Sequence, residues 1–212
     1  MYQLPAFRET DLETQHGFIT AHPLGLLISS GMAGLLANPI PFALYPAEGA
    51  LGTLRCHLSR ANAQWQALQQ APEVLLVFQG TEHYVTPSWY PQKAIDHTVV
   101  PTWNYAMVQA RGRATVTDDA AWLYANVSAL TALHEGGRPE PWAVTDAPDA
   151  FIASQLKGIV GVEITIAALA GKFKASQNRS EADRRGVYDG LATEPDAGAA
   201  AMRDLVKDRG GF

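Results

Sequence analysis

Strand-like runs follow one another along this chain at intervals that are mostly too short for parallel pairing. The runs share apolar or alternating residues of β type and lie at 25–30, 35–45, 51–58, 73–79, 105–117 and 159–166. A parallel pair needs a crossover connection of roughly a dozen residues or more. We therefore expect mainly antiparallel neighbours, about six or seven strands in all. With helices in the gaps, this pattern predicts an α+β fold built as a small closed or split β-barrel.

Helix signals fill the gaps between the strand-like runs. Capping residues or apolar residues at helical spacing place them at 10–22, 63–70, 118–135, 148–157, from 180 onwards and at 199–208. Pro39 and Pro41 mark the run 35–45 as an edge or bulged strand, and GMAG at 31–34 predicts a turn. We find no interdomain linker. We expect one domain over 1–190, followed by a C-terminal helical tail over 191–212.

Charge and motifs disfavour several classes of protein. The formal net charge of -5 argues against a stand-alone nucleic-acid binder, whose affinity comes from neutralising phosphates. Neither a Rossmann nor a P-loop motif occurs, and the six histidines are scattered, so neither a dinucleotide site nor a metal site is predicted. No signal-peptide pattern occurs, and no apolar run reaches the roughly 18–20 residues that span a bilayer. We therefore expect a cytoplasmic protein that does not enter the membrane.

The single cysteine, Cys56, excludes an intramolecular disulfide. It lies between Arg55 and His57, where a reactive thiolate is conceivable. A semi-buried residue on a strand is the favoured interpretation.

A first group of candidate binding residues, the strand-end cluster, is RCHLSRAN at 55–62. A strand runs into a helix start here, so a hydroxyl, a guanidinium and helix N-terminal amides are available to an anion. A helix cap at Asn62 together with a surface arginine explains the same residues, and on these residues alone it is favoured.

A second group, the aromatic segment at 81–105, contains five of the chain's 19 aromatic residues. Its prolines are expected to forbid a helix, so the segment is predicted as a loop. Rings interleaved with hydroxyls and an amide can sandwich a planar heterocycle and satisfy its edge. They can equally form a core or a dimer interface, and the residues alone leave that choice open.

A third group, the basic segment GKFKASQNRS at 171–180, is the densest basic stretch of the chain. It suits phosphate recognition, and it equally suits a solvated loop. Together the three groups describe a planar, phosphorylated ligand such as flavin mononucleotide (FMN).

The same stretches resemble the PaiB family of FMN-binding negative transcriptional regulators, within the split-barrel FMN-binding superfamily. The motifs that carry the resemblance are MYQLPAFRETD (1–11), HLSRANAQW (57–65), VFQGTEHYVTPSWYPQK (77–93), VPTWNYAMVQARG (100–112) and GKFKASQNRS (171–180). They occur in order and extend over nearly the whole chain up to about residue 190.

The resemblance implies a split β-barrel related to pyridoxamine-phosphate oxidase, assembled as a homodimer with FMN in clefts at the subunit interface. The residues that it places near the FMN phosphate are Ser59, Arg60 and Asn62, and those that offer backbone groups to the rings are Cys56, His57 and Leu58. The residues that line the cleft from the aromatic segment are Tyr84, Thr86, Ser88, Trp89, Tyr90, Lys93, Trp103 and Asn104. The residues that close it are Lys174, Ser176 and Gln177.

The resemblance favours an FMN-binding regulator that represses transcription. The alternatives are a flavin-dependent oxidoreductase and a split-barrel protein that binds haem or another planar ligand, with His57 as a contact. No catalytic residue is assigned, because a flavin can carry the chemistry itself. DNA enters as a partner through the resemblance alone, since the sequence contains no evident helix-turn-helix.

Overall fold

A computed structural model describes residues 1–32 and 34–212 of the chain. Its α-helices are α1 Leu12–Ala21, α2 Gln64–Gln70, α3 Gln92–Asp96, α4 Ala120–Glu135, α5 Asp149–Leu156, α6 Glu181–Leu191 and α7 Ala197–Gly210. Its strands are β1 Arg8–Glu9, β2 Leu24–Gly31, β3 Gly34–Pro41, β4 Ala43–Tyr45, β5 Thr53–Ser59, β6 Glu73–Val85, β7 Thr102–Thr117 and β8 Ile159–Lys174. Short 3₁₀ helices occupy Pro5–Phe7, Pro87–Trp89 and Val144–Asp146.

The strands follow the order β3-β2-β6-β7-β8-β5-β4, with β1 paired to β8. Strand β2 pairs antiparallel with both β3 and β6, and β5 pairs antiparallel with both β4 and β8. Strand β3, which carries Pro39 and Pro41, lies at one end of this order, as the prolines predicted. The antiparallel α+β fold is therefore confirmed.

The chain divides into two compact units. The terminal unit contains residues 1–11, 79–108 and 170–212, and the central unit contains residues 12–78 and 109–169. The expected division of the chain at residue 190 stays a prediction.

The core of the central unit is built by strands whose buried residues alternate. In β5 the side chains of Leu54, Cys56 and Leu58 are buried, and they lie on the face opposite to Arg55 and His57. The predicted alternation over 159–166 also holds, since the apolar side chains at 160, 162, 164 and 166 are all buried. In β5, the face opposite to the buried side chains is therefore occupied by the polar side chains of Arg55 and His57.

The core of the terminal unit forms where α6 and α7 pack together. Val187 and Leu191 of α6 and Met202 and Val206 of α7 form one buried cluster. The side chain of Trp89 packs against this cluster, and a Cβ atom placed on Gly190 of α6 would lie only 2.3 Å from its ring. A glycine at this position therefore lets the 3₁₀ helix Pro87–Trp89 approach α6 closely.

Two expectations about the aromatic segment are wrong. The segment is not a loop throughout, because β6 continues to Val85 and β7 already begins at Thr102. Its prolines do not forbid helices, because the 3₁₀ helix Pro87–Trp89 and helix α3 both form between those strands. Pro87 and Pro91 lie at the N-terminal ends of these helices, where a missing N–H group costs no hydrogen bond.

Several strand boundaries also differ from the expected ones. Strand β7 begins at Thr102, before the expected run 105–117, and continues through Gly112. Strand β8 continues to Lys174, so the first residues of the basic segment are strand rather than loop. The run over 35–45 is divided into β3 and β4 at Phe42. The turn expected over 31–34 includes Ala33, which lies outside the described residues.

The uninterrupted course of β7 depends on Gly112. A Cβ atom at this position would lie 2.3 Å from the carbonyl oxygen of Thr165, which is backbone and cannot move aside. We expect Gly112→Ala to lower the free energy of unfolding by about 1–3 kcal/mol. Denaturant unfolding measures the change.

Gly17 in α1 provides the matched control. A Cβ atom there meets nothing within 4 Å, and alanine is the better helix former. Gly17→Ala should raise the free energy of unfolding by up to about 1 kcal/mol. Equal effects of the two substitutions would contradict the close approach at Gly112.

Candidate functional site

The strand-end cluster lies in the central unit, where β5 leads towards α2. The Nε and Nη2 atoms of Arg60 donate hydrogen bonds to the carbonyl oxygens of Lys157 and Ile159, at 3.0 and 3.2 Å. The Oδ1 atom of Asn62 accepts a hydrogen bond from the backbone N–H of Gln64 at 3.0 Å. The Oγ atom of Ser59 likewise accepts a bond from a backbone N–H, at 3.3 Å. These polar groups therefore stabilise the local turn before α2, although the N-cap residue of α2 is Ala63 and not Asn62.

Cys56 and His57 lie on opposite faces of β5. The Cys56 side chain is completely buried, and this burial raises the pKa of its thiol, so the thiolate that a reactive cysteine needs is disfavoured. The His57 imidazole is partly buried on the other face, and the loss of solvent lowers its pKa. Of these two side chains, His57 is the one that a ligand outside the core can reach.

The surroundings of His57 come from α4. Its Nδ1 atom lies 3.4 Å from Nδ2 of Asn126, whose own Oδ1 atom is buried without a partner among the described residues. A pocket of about 300 Å³ is lined by His57 together with His134 and Trp142, among others. Neither Asn126 nor His134 was predicted from the sequence as a site residue. Their spacing of eight residues, about two helical turns, could have indicated that both face β5.

Two of the predicted groups meet in the terminal unit. The Nζ atom of Lys174, at the end of β8, donates to Oγ1 of Thr102 and to the carbonyl oxygen of Trp103, at the start of β7. The buried Nδ2 atom of Asn104 donates to Oγ of Ser176 at 2.9 Å, while Oδ1 of the same amide has no partner among the described residues. The aromatic and basic segments are thus joined by side-chain hydrogen bonds.

The backbone around Ser176 is fixed by Gln177. Its Nε2 atom donates to the carbonyl oxygen of Phe173 at 2.6 Å, and its Oε1 atom accepts from the N–H of Ala175 at 2.7 Å. Ser176 itself has φ of 64°, in the left-handed region that a serine rarely adopts. The amide of Gln177 is therefore engaged in holding this strained turn.

Positive charge accumulates beside Lys174. Burial lowers the pKa of Lys174, and repulsion from Lys172 and Arg179 lowers it further. Among the described residues, none of these three cations forms an ion pair with a carboxylate. Lys172 instead lies 5.2 Å from the ring centroid of Tyr105, and Arg179 lies 4.9 Å from that of Tyr90. Ring faces and carbonyl groups balance this charge only in part, which is typical of a site that receives an anion.

The rings of the aromatic segment divide into buried and exposed ones. Tyr90 is only 2% exposed, and Trp89 packs on α6, so both belong to the core of the unit. Tyr84 and Trp103 are 43% and 54% exposed and meet edge to face with centroids 5.9 Å apart. These two rings have the accessible surface that a planar ligand or a second subunit would need.

The remaining candidates of the aromatic segment have local structural partners. The Oγ1 atom of Thr86 accepts a hydrogen bond from the N–H of Ser88 at the start of the 3₁₀ helix. The Nζ atom of Lys93 donates to Oγ of Ser88 at 3.1 Å. The structure therefore brings Trp103, Asn104, Lys174 and Ser176 together, while Thr86, Ser88 and Lys93 form a separate network.

Residues 1–168 of the chain match the family model described as "Putative FMN-binding domain". The chain belongs to this FMN-binding domain family. The matched residues include the strand-end cluster and the aromatic segment, whereas Lys174, Ser176 and Gln177 follow the matched region.

Similar proteins match the chain over almost its entire length. An uncharacterised protein of Aspergillus fumigatus is 37% identical, with 99% of this chain and 98% of that protein covered. The Bacillus subtilis protein named "Protease synthase and sporulation protein PAI 2" is 27% identical, with the same shares covered. The resemblance to the PaiB family is thereby confirmed.

Solved structures show the fold of this FMN-binding domain family member. The flavocytochrome Anf3 of Azotobacter vinelandii is 16% identical, with 82% of this chain and 72% of that chain covered and a TM-score of 0.60. The "FAD and Heme binding protein" of Mycobacterium smegmatis is 18% identical, with 79% and 73% covered and a TM-score of 0.57. The fold is the split β-barrel, as expected. Within the described part of the chain, no helix has the length and apolar character needed to span a membrane.

The lowered pKa of His57 predicts a pH-dependent contribution to stability. The unfolded chain takes up a proton near pH 6.5, whereas the folded protein does so only at a lower pH. The free energy of unfolding is therefore expected to fall as the pH drops through this window.

In His57→Gln this contribution is absent, so the variant's stability deficit relative to the wild type should shrink as the pH falls below about 6.5. Denaturant unfolding of both proteins between about pH 5 and 8 measures the difference. A deficit that is independent of pH would contradict the burial of a neutral imidazole.

Proposed function

We propose that the protein binds FMN and acts as a PaiB-like negative regulator of transcription. The observation that carries the FMN part is the group of Lys172, Lys174 and Arg179, which no carboxylate among the described residues neutralises. Lys174 contacts the carbonyl oxygen of Trp103, whose ring is exposed. An FMN molecule has a phosphate and a planar ring system, which match a cationic group and an aromatic surface. Membership of the FMN-binding domain family supports flavin as the ligand.

The fit to a phosphate is better at Lys174 than at Arg60. Two donors of the Arg60 guanidinium are already engaged by backbone carbonyl oxygens, so this side chain supports the turn at the end of β5. The Lys174 ammonium is held among other cations, and a phosphate would relieve their mutual repulsion. We therefore assign the phosphate contact to Lys174, with Lys172 and Arg179 adding to the attraction.

Several other predicted residues are proposed as flavin contacts, group by group. In the terminal unit, Trp103 and Tyr84 offer ring surface, and Asn104 offers a buried oxygen without a partner among the described residues. In the central unit, the backbone of Cys56, His57 and Leu58 is proposed to contact the ring system. A bound flavin would supply redox chemistry of its own, while these residues bind and orient it.

The regulatory part of the proposal is supported by the similarity to PAI 2 over nearly the full length of both chains. We further propose a cytoplasmic homodimer, in which the exposed rings of Tyr84 and Trp103 face a partner subunit or the ligand. Salt-sensitive binding to the protein's own promoter, stronger than binding to unrelated DNA, would support this part. Equal affinity for both DNAs would contradict it.

A flavin-dependent oxidoreductase is the second candidate function. It is favoured by the fold similarity to the flavocytochrome Anf3 and to the FAD and haem binding protein. Bleaching of bound flavin by NADH or NADPH would support this candidate, and a Soret band would point to haem. If neither NADH nor NADPH reduces the bound flavin, the result would favour the regulatory function over the oxidoreductase.

Substitution of Lys174 tests the phosphate contact. We expect Lys174→Met to weaken FMN binding by about 10- to 100-fold, because a charge-assisted hydrogen bond contributes about 1.5–3 kcal/mol. The free energy of unfolding without ligand should change by less than about 1 kcal/mol, because the lost hydrogen bonds are offset by the removal of a desolvated, repelled charge. Quenching of flavin fluorescence measures the affinity.

Lys207→Met is the matched control. Lys207 is an exposed lysine on α7, in the same unit, and its removal subtracts the same formal charge. We expect it to leave FMN affinity within about twofold of the wild type, since exposed charges act weakly at a distance. Equal losses in both variants would show that net charge, rather than a contact at Lys174, controls binding.

A further inference from the structure

A second cluster of polar groups lies in the terminal unit and takes no part in the proposed flavin contacts. It consists of His83 on β6 together with Glu194 and Asp196, which lie between α6 and α7. One ligand atom from each of these side chains lies within 4.8 Å of the others. Among the described residues, this is the one group of three or more histidine, cysteine or acidic residues arranged in this way.

The His83 imidazole is oriented so that one nitrogen faces the two carboxylates. Its Nδ1 atom lies 2.6 Å from the carbonyl oxygen of Tyr84. A carbonyl oxygen can only accept a hydrogen bond, so Nδ1 carries the proton. In the neutral ring, Nε2 therefore presents its lone pair, and this nitrogen lies 3.5 Å from Oδ2 of Asp196.

This arrangement is what a metal-binding histidine requires. Histidines that bind metals usually donate their second ring N–H to a carbonyl or carboxylate group, which fixes the tautomer and the ring direction. The ring of His83 is further held by a stacking contact with Trp89, at a centroid distance of 6.0 Å and an interplanar angle of 26°. Trp89 in turn packs against Gly190 of α6. The imidazole is therefore held by two contacts, one with the carbonyl oxygen of Tyr84 and one with the ring of Trp89.

The carboxylate of Asp196 is also oriented. Its Oδ1 atom accepts a hydrogen bond from the N–H of Ala199 at 2.8 Å, as the cap of α7. This bond leaves Oδ2 directed at His83. A lone pair and a carboxylate oxygen at this separation repel each other unless a proton or a cation lies between them. Glu194 adds a second carboxylate at the same place.

We propose that His83, Glu194 and Asp196 bind a divalent transition-metal ion of the zinc type. One imidazole nitrogen and two carboxylate oxygens are a ligand set that zinc accepts, whereas calcium and magnesium prefer oxygen ligands throughout. Three protein ligands leave a fourth position of a tetrahedral ion for water or another ligand. The ion would link the strand β6 to the connection between α6 and α7, and would stabilise that connection.

No metal site was predicted from the sequence. The histidine and the two acidic residues are separated by more than a hundred positions, and no short ligand motif connects them. The packing of Trp89 against the α6–α7 cluster and the hydrogen bond from Oγ1 of Thr81 to the carbonyl oxygen of Gly198 bring them into one place.

Zinc titration of the purified, tag-free chain tests the proposal. We expect saturable binding of one zinc ion and a rise of the melting temperature with zinc that magnesium does not reproduce. His83→Gln should weaken zinc binding by at least about tenfold. Glu194→Gln should also weaken zinc binding. Because Glu194 is exposed and does not contribute to the core, this variant still tests the proposal if His83→Gln is unstable.

His97→Asn is the matched control. His97 is an exposed histidine of the same unit with φ of 59°, a conformation that asparagine tolerates well. It should bind zinc like the wild type. Equal zinc affinity in the wild type, His83→Gln and Glu194→Gln would overturn the proposal. The absence of saturable zinc binding would also overturn it and would leave an ion pair between a protonated His83 and Asp196. Neither result depends on whether FMN binds.

Discussion

The continuous passage of β7 beside β8 is the constraint on which the rest of the structure depends. Gly112 allows it, because any side chain there would meet the backbone of Thr165. Strand β7 begins at Thr102, so Thr102 and Trp103 belong to the terminal unit. Since β8 also continues to Lys174, the two strands bring an ammonium group onto the carbonyl oxygen of Trp103. The candidate phosphate contact is thus a consequence of strand length.

The electrostatic surroundings of Lys174 differ from those of an ordinary surface lysine. A surface lysine normally lies in water or near an acidic residue, and neither applies to Lys174, which is partly buried among other cations. A protein holds like charges together at some cost in stability, so such an arrangement points to a function that offsets the cost. A phosphate would do so, and the ring faces of Tyr90 and Tyr105 already interact with the neighbouring cations. The turn at Ser176, held in a strained conformation by Gln177, is consistent with a preformed site.

Much of the fold could be predicted from the sequence, because local signals and tertiary packing agree there. The alternation over 159–166 and the short intervals between strands identified the antiparallel α+β fold. The prolines of the aromatic segment were misinterpreted, because Pro87 and Pro91 begin short helices instead of preventing them. The extension of β8 was missed because the run Ala167–Gly171 lacks alternation. Its pairing with β1, with Arg8 opposite Lys172, holds that part of the strand in place.

The candidate site was only partly predictable, for a different physical reason. Residue types identified Lys174, Asn104 and Trp103 as candidates, but the absence of a neutralising carboxylate among the described residues is a property of three-dimensional arrangement. For Arg60 the sequence indicated an anion contact that its surroundings do not favour. In the structure its guanidinium donates hydrogen bonds to backbone carbonyl oxygens. The grouping of His83 with Glu194 and Asp196 depends likewise on packing that no local pattern encodes.

The measurement that tests the central claim most directly is a titration of the flavin-stripped protein with FMN and, separately, with riboflavin, which lacks the phosphate. Quenching of flavin fluorescence gives both dissociation constants. If the cations around Lys174 bind the phosphate, FMN should bind at least about tenfold more tightly than riboflavin, and the difference should shrink as salt is added. Equal affinities, or no saturable binding of FMN, would contradict the account.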